Sequence, residues 1–224
     1  MRNKEYPYNM KYHRKLRGVL VDLNRDLFLI EEKMKTYHDN HSSDISFQLF
    51  WNEELDDLHV YVMALEDRRF FQHCGVDFRA IVREFLKFRK RKGGASTIDM
   101  QLVRTITNFR ERTLFRKLYE SLLAVIINFK YTKRQIIDCY LSNAFFGSHL
   151  YGLDSLMHDL GVYHYDEINY EMKSRIASML QLPRPLQIDS NKEKLEQWER
   201  RLSDRSFYAQ MMRFRVKYSS DQSK

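Results

Sequence analysis

The chain has 224 residues, 43% of them hydrophobic, with a formal net charge of +8. That length supports one domain with a sizeable core, and that hydrophobic share excludes a disordered chain. Seven glycines and three prolines are too few for the tight turns of an all-β fold, so a helical protein is expected.

Residues 1–49 read as a charged helical extension. Leu20, Leu23, Leu27, Phe28 and Ile30 recur at helical spacing, which predicts a helix over Val19 to Met34. The polar stretch His38–Asp44 reads as a loop. The N-terminus is charged and carries no apolar core segment of a signal peptide. The longest apolar run, Leu122 to Ile127, is far shorter than the ~20 residues of a membrane span. The charge fits either plain solubility or an anionic partner: phosphate, pyrophosphate, nucleic acid or an acidic membrane surface.

The segment from Ala64 to Asp77 is the most informative. Val60, Met63, Ala64, Leu65 and Phe70 make an apolar, partly buried run that ends on two adjacent carboxylates, Glu66 and Asp67. His73 and Gly75 follow at short spacing. A carboxylate at such a margin is a candidate general base. Asp77 then caps a helix with an apolar stripe of Phe78, Ile81, Val82, Phe85 and Phe88, and Arg79, Arg83, Lys87 and Lys90 form a basic row on another face. The basic run Arg89–Lys92 before Gly93 and Gly94 fits a solvated face or a phosphate-facing loop.

Ser96 with Asp99 fits a capping box for the next helix, whose stripe is Ile98, Leu102 and Ile106. Its start is either an ordinary helix N-terminus or an anion site. From Arg112 to Phe129 a helix places Leu114, Leu118, Leu122, Val125 and Phe129 on one side. Its later half is apolar all round, which predicts burial. Glu120 sits where that helix enters the core, and an ion pair with Arg116, four residues earlier, is the ordinary reading. Thr132 caps a helix over Lys133 to Tyr140. Further helices are expected over Tyr170 to Leu182 and over Lys192 to Arg215, the last wrapping the surface. Cys74 and Cys139 form neither a metal spacing nor a disulfide framework and read as buried free thiols.

Each piece is weak alone, but in this order they resemble the peptidoglycan glycosyltransferases, glycosyltransferase family 51. The first motif, Glu-Asp-x-x-Phe-x-x-His-x-Gly, is matched by Glu66, Asp67, Phe70, His73 and Gly75. The second, Gly-x-Ser-Thr-Ile-x-Gln-Gln-Leu-x-Lys, appears as Gly94, Ser96, Thr97, Ile98, Gln101 and Leu102, with Met100 and Arg104 in place of Gln and Lys. Arg116, Lys117 and Glu120 match the third, Arg-Lys-x-x-Glu. The fourth is present with Asp138 shortening its Glu and Ser142 replacing its Asn. Phe145–Gly147 and Tyr151–Gly152 follow as in the family, and the fifth motif is loose around Ala177 to Pro185.

The resemblance implies an all-α, lysozyme-like domain over residues 50–212 with a small jaw-like lobe flanking a cleft, and a polar tail over 213–224. It implies inverting transfer of a glycan from a polyprenyl pyrophosphate donor, such as lipid II, to a sugar hydroxyl. Glu66 would be the base and Glu120 the second catalytic carboxylate. Asp67, Phe70, His73, Gly75, Ser96, Thr97, Gln101, Arg104, Arg116 and Lys117 would form the substrate site. A divalent cation, Mg or Mn, at the pyrophosphate and a membrane-protein partner are compatible with it. An organic cofactor and nucleic acid are not expected. With no membrane segment read from the sequence, the expected location is cytoplasmic or peripheral at the inner membrane, although the family works on the outer face. The departures at Met100, Arg104, Asp138 and Ser142 leave a second reading open: a degenerate member that binds lipid-linked precursors or cell-wall partners without turnover.

Overall fold

A computed structural model of the chain describes residues 16–39, 55–86, 96–108, 113–185 and 192–217. Within them the fold is all-α, of lysozyme type, with one two-stranded antiparallel ribbon. The helices are α1 (Leu16–Asp39), α2 (Asp57–Glu66), α3 (Phe78–Leu86), α4 (Ile98–Thr107), α5 (Leu114–Lys130), α6 (Lys133–Asn143), α7 (Leu153–Asp159), α8 (Tyr170–Met179) and α9 (Lys192–Met212). The ribbon pairs β1 (Phe145–Gly147) with β2 (Leu150–Tyr151). The loop expected over 38–44 and the basic run 89–94 lie largely or wholly outside the described residues.

Two groups of helices meet in one core. α4 packs on α5, α6 and α1, while α2 packs on α8 and α9. α2 is the hinge of the arrangement because it is apolar on nearly every side: Leu58, Tyr61, Val62, Met63 and Ala64 are all buried. A buried cross-link joins the groups, with His59 Nε2 2.8 Å from Asp138 Oδ1 on α6. The shortened acidic residue of the fourth motif is therefore a brace, also held by Arg134 at 2.9 Å. α1 enters the same core through Ile30 and Met34, and its Asp26 accepts from the Tyr119 hydroxyl at 2.8 Å.

Local signals explain the helix starts. Asp56 caps α2 through the Leu58 N–H at 2.7 Å, and Thr132 and Gln135 form a reciprocal capping box at α6. The α4 cap differs from expectation. Thr97, not Ser96, accepts from the Met100 N–H, and its hydroxyl donates to the Gly75 carbonyl at 2.6 Å. Asp99 is turned inward instead. Gly75 itself has φ +91°, and a Cβ there would lie 2.4 Å from the Ala124 carbonyl oxygen of α5.

Four further expectations are corrected. The stripe Leu114, Leu118, Leu122 and Phe129 faces outward, with Leu114 81% exposed; Tyr119, Leu123, Ala124 and Ile127 form the buried face of α5. Phe78, Ile81 and Val82 of α3 are likewise exposed. α9 does not merely wrap the surface, because Leu202, Ala209 and Met212 enter the core. Of the two free thiols, Cys139 is buried and burial pushes it up to about 12, but Cys74 is exposed.

Candidate active site

Glu66 is the last residue of α2. The Asp67 N–H closes the final turn on the Met63 carbonyl at 2.9 Å, and the chain then leaves helical geometry. The side chain of Glu66 is thereby half-buried at the rim of the core. One of its oxygens accepts from Gln101 Nε2 at 2.5 Å. The other end of that amide accepts from the Tyr140 hydroxyl at 2.9 Å. Burial keeps the Tyr140 hydroxyl protonated far above its ordinary range, and the nearby Glu66 charge adds to that. A permanent donor on its oxygen side fixes the amide so that its N–H points at Glu66.

Glu120 is fully buried in α5. Arg104 grips it with two parallel bonds, Nε at 3.0 Å and Nη2 at 2.9 Å, and Arg116 Nε lies 3.3 Å away. The bond to Glu120 raises the Arg104 pKa above its ordinary value, against the opposing effect of burial. Arg104 Nη2 also reaches Ser96 Oγ at 3.4 Å. Gln101 and Arg104 are three residues apart, on one face of α4. A single helix face thus holds both glutamates. Lys117, next to Arg116, is exposed and makes no ion pair among the described residues.

The other first-motif residues form a brace beneath Glu66. Asp67 accepts from the Ile98 N–H at 3.3 Å, which ties the α2 terminus to the start of α4, and lies 2.8 Å from His73 Nε2. Phe70 is fully buried and Gly75 packs against the α5 backbone. Thr97 is buried as the α4 cap. Phe70, Gly75 and Thr97 therefore present packing and hydrogen bonding within the domain, not open surface. Sequence reading missed Asp99 and Lys133 as part of this brace. Lys133 Nζ sits 3.0 Å from both Asp99 oxygens and 4.4 Å over the Phe70 ring, and Asn128 donates to Asp99 at 2.7 Å. Burial pushes Asp99 up and Lys133 down, as expected for a desolvated pair. Met100, which stands where the resembled motif has Gln, is buried in the core.

Asp67, His73 and Asp99 bring candidate metal-ligand atoms within 4.8 Å of one another. They fit a metal poorly: the Lys133 ammonium already neutralises Asp99, and Asp67 is committed to backbone and His73. At Glu120 both oxygens are held by Arg104. The positive charge held at this site is that of the Arg104 and Arg116 guanidinium groups paired with Glu120.

An all-α, lysozyme-like domain that presents a half-buried glutamate beside an arginine-held second glutamate has the make-up of a transglycosylase domain. The chain belongs to the transglycosylase family, which residues 36–207 match. It is 30% identical over 161 residues to a biosynthetic peptidoglycan transglycosylase of Nitrosomonas eutropha, covering 69% of this chain and 66% of that protein. A protein of the same description from Bdellovibrio bacteriovorus is 32% identical over 146 residues, 64% of this chain and 58% of that protein. Penicillin-binding protein 1A of Aquifex aeolicus is 35% identical over 124 residues, 54% of this chain and 17% of that protein. The chain thus spans just under two thirds of the first of these relatives and a small part of the last.

Proposed function

We propose that the protein transfers a glycan from a polyprenyl pyrophosphate donor, such as lipid II, to the hydroxyl of an acceptor sugar. The observation that carries this reading is the grip of one α4 face on both glutamates, Gln101 on Glu66 and Arg104 on Glu120. Gln101 occupies one Glu66 oxygen and leaves the other to accept the proton of the attacking hydroxyl. The acceptor oxygen bonds to the anomeric carbon as the bond from that carbon to the pyrophosphate breaks, with inversion. Negative charge grows on the departing pyrophosphate. Arg104 and Arg116 meet it, their guanidinium planes held by Glu120 so that little reorganisation is needed. No step requires a metal.

The donor is anchored in lipid, so the domain must work against a membrane surface. The exposed apolar side chains of α3 and α5 supply the contact in this reading, with no helix among the described residues long and apolar enough to cross a membrane. The test is polymerisation of a labelled lipid-linked disaccharide. Glu66→Gln is expected to lower kcat by about 10²–10⁴-fold, the usual worth of a general base, while leaving Tm unchanged. Equal rates from variant and parent would remove Glu66 as the base. Donor binding by the parent protein with no turnover would favour a binding role instead.

A further inference from the structure

Beside the Glu66 end of α2 lies an open hollow of about 530 Å³, between the turn after α8 and the outer face of α9. That volume is within the ~300–1,000 Å³ range of ligand sites. Its walls are Gln181, Leu182, Arg201, Asp204, Arg205 and Tyr208. The hollow is tied to the catalytic region: Gln181 Nε2 donates to the carbonyl of Leu65, the residue before Glu66, at 3.0 Å.

Part of this wall is rigid and part is unspent. Gln181 is held at both ends, by the Leu65 carbonyl and by the Arg205 guanidinium. Arg205 in turn lies over the Tyr208 ring at 5.2 Å. The opposite face of α9 is fixed by burial of Leu202 and Ala209, and by Ser206 Oγ at 2.6 Å from Ser174 Oγ. Arg201, Asp204 and the Tyr208 hydroxyl have no hydrogen-bond or ion-pair partner among the described residues. Arg201 and Arg205 also stand four residues apart on one helix face, a like-charge spacing that is unfavourable unless acceptor groups lie between them. A second hollow between α8 and α9, of about 280 Å³, differs in kind. It is lined by Ile176, Met179, Trp198 and Leu202, and its Arg175 is paired with Glu199 at 2.6 Å.

A flat aromatic side chain beside planar polar groups is the surface a pyranose requires. The C–H face of the ring packs on the aromatic, and a carboxylate, an amide and guanidinium groups divide the hydroxyl and acetamido contacts among them. We propose that this hollow is a saccharide subsite holding a sugar of the glycan strand beyond the unit that reacts at Glu66. Tyr208 is the platform, Asp204 accepts from hydroxyls, and Arg201 and Arg205 donate to carbonyl or carboxylate oxygens of the strand. The inference rests on the reading of Glu66 as the base of glycan transfer.

The test is calorimetric titration of the full chain with a lipid-free, four-sugar peptidoglycan strand, run beside the polymerisation assay. Wild type and Glu66→Gln should both bind the strand. Tyr208→Ala and Asp204→Asn should each raise Kd at least tenfold with unchanged circular dichroism, and should shorten the glycans made. Asp204→Asn is isosteric and keeps the test valid if Tyr208→Ala misfolds. Strand binding by both variants equal to wild type, or no binding by wild type, overturns the subsite. Strand binding that depends on Tyr208 and Asp204 in a protein that makes no polymer would support the subsite and refute the proposed transfer reaction.

Discussion

Arg104 shows how a substitution can keep charge and change geometry. The resembled motif carries Lys there, a point charge, whereas the guanidinium gives Glu120 two parallel bonds. Arg104→Lys therefore restores the motif residue yet removes one of these bonds and the fork that aims the group. A charge-assisted bond is worth about 1.5–3 kcal/mol, so kcat/KM for the lipid-linked donor should fall by roughly 10–100-fold with the fold intact. Steady-state kinetics on the purified variant decides it, and unchanged kinetics would mean that Arg104 charge alone suffices. Met100 is the contrasting departure. It is buried in the core, where its sulfur accepts from Ser121 Oγ at 3.9 Å.

Asp56 carries the equivalent weight among the helices. Besides capping α2 it accepts from Lys173 Nζ at 2.8 Å and from the Tyr165 hydroxyl at 2.5 Å, so one carboxylate locks α2 to α8 and to the turn before it. Burial alone would raise its pKa. The bonds from Lys173, Tyr165 and the Leu58 N–H outweigh that and leave it below the ordinary value of 3.8. The unfolded chain then binds this proton more readily than the folded one. The stabilisation is present above about pH 4 and is lost as pH falls through the lower folded value. Asp56→Ala should cost about 2 kcal/mol at pH 7, the upper range for a lost cap. In urea melts at pH 7 and pH 3, Asp56→Asn should lose less stability on acidification than wild type, and an equal loss would count against the assignment. The sequence made such caps readable when the motif was local, as at Thr132 and Gln135. It named Ser96 in place of Thr97 because two adjacent hydroxyl residues carry the same local signal. It misjudged α5 for a different reason. A helix whose later half is apolar all round has no period there that says which side meets protein, and the face that is buried is the one with Tyr119, Glu120, Leu123, Ala124 and Ile127. Glu66, Gln101, Arg104 and Glu120 were legible through the order of their motifs. The Asp99–Lys133 pair and the Tyr140–Gln101 bond were not, because each joins residues 34 and 39 positions apart that only packing brings together.

At the scale of the whole molecule, that misjudged face becomes the feature to explain. Leu114, Leu118 and Phe129 are 81%, 71% and 80% exposed on α5, and Phe78 and Val82 are 68% and 56% exposed on α3. The two helices come from neighbouring parts of the fold, since Gly75, just before α3, packs on Ala124 of α5. Large apolar side chains gathered on an outer surface mark a site of association, and a net charge of +8 adds attraction to anionic headgroups. Full burial of one Leu is worth about 1.5–3 kcal/mol, so two partly inserted leucines can account for a tenfold or greater change in partitioning. Leu114→Gln with Leu118→Gln, which leaves the charge unchanged, should therefore lower co-sedimentation with phosphatidylglycerol vesicles at least tenfold. It should leave stability within about 0.5 kcal/mol, because neither side chain is in the core. Raising salt should weaken binding of wild type and variant alike through the shared charge term, which separates the apolar contribution from the electrostatic one. If the double variant still sediments with vesicles as wild type does, the α5 face is not what brings the domain to lipid.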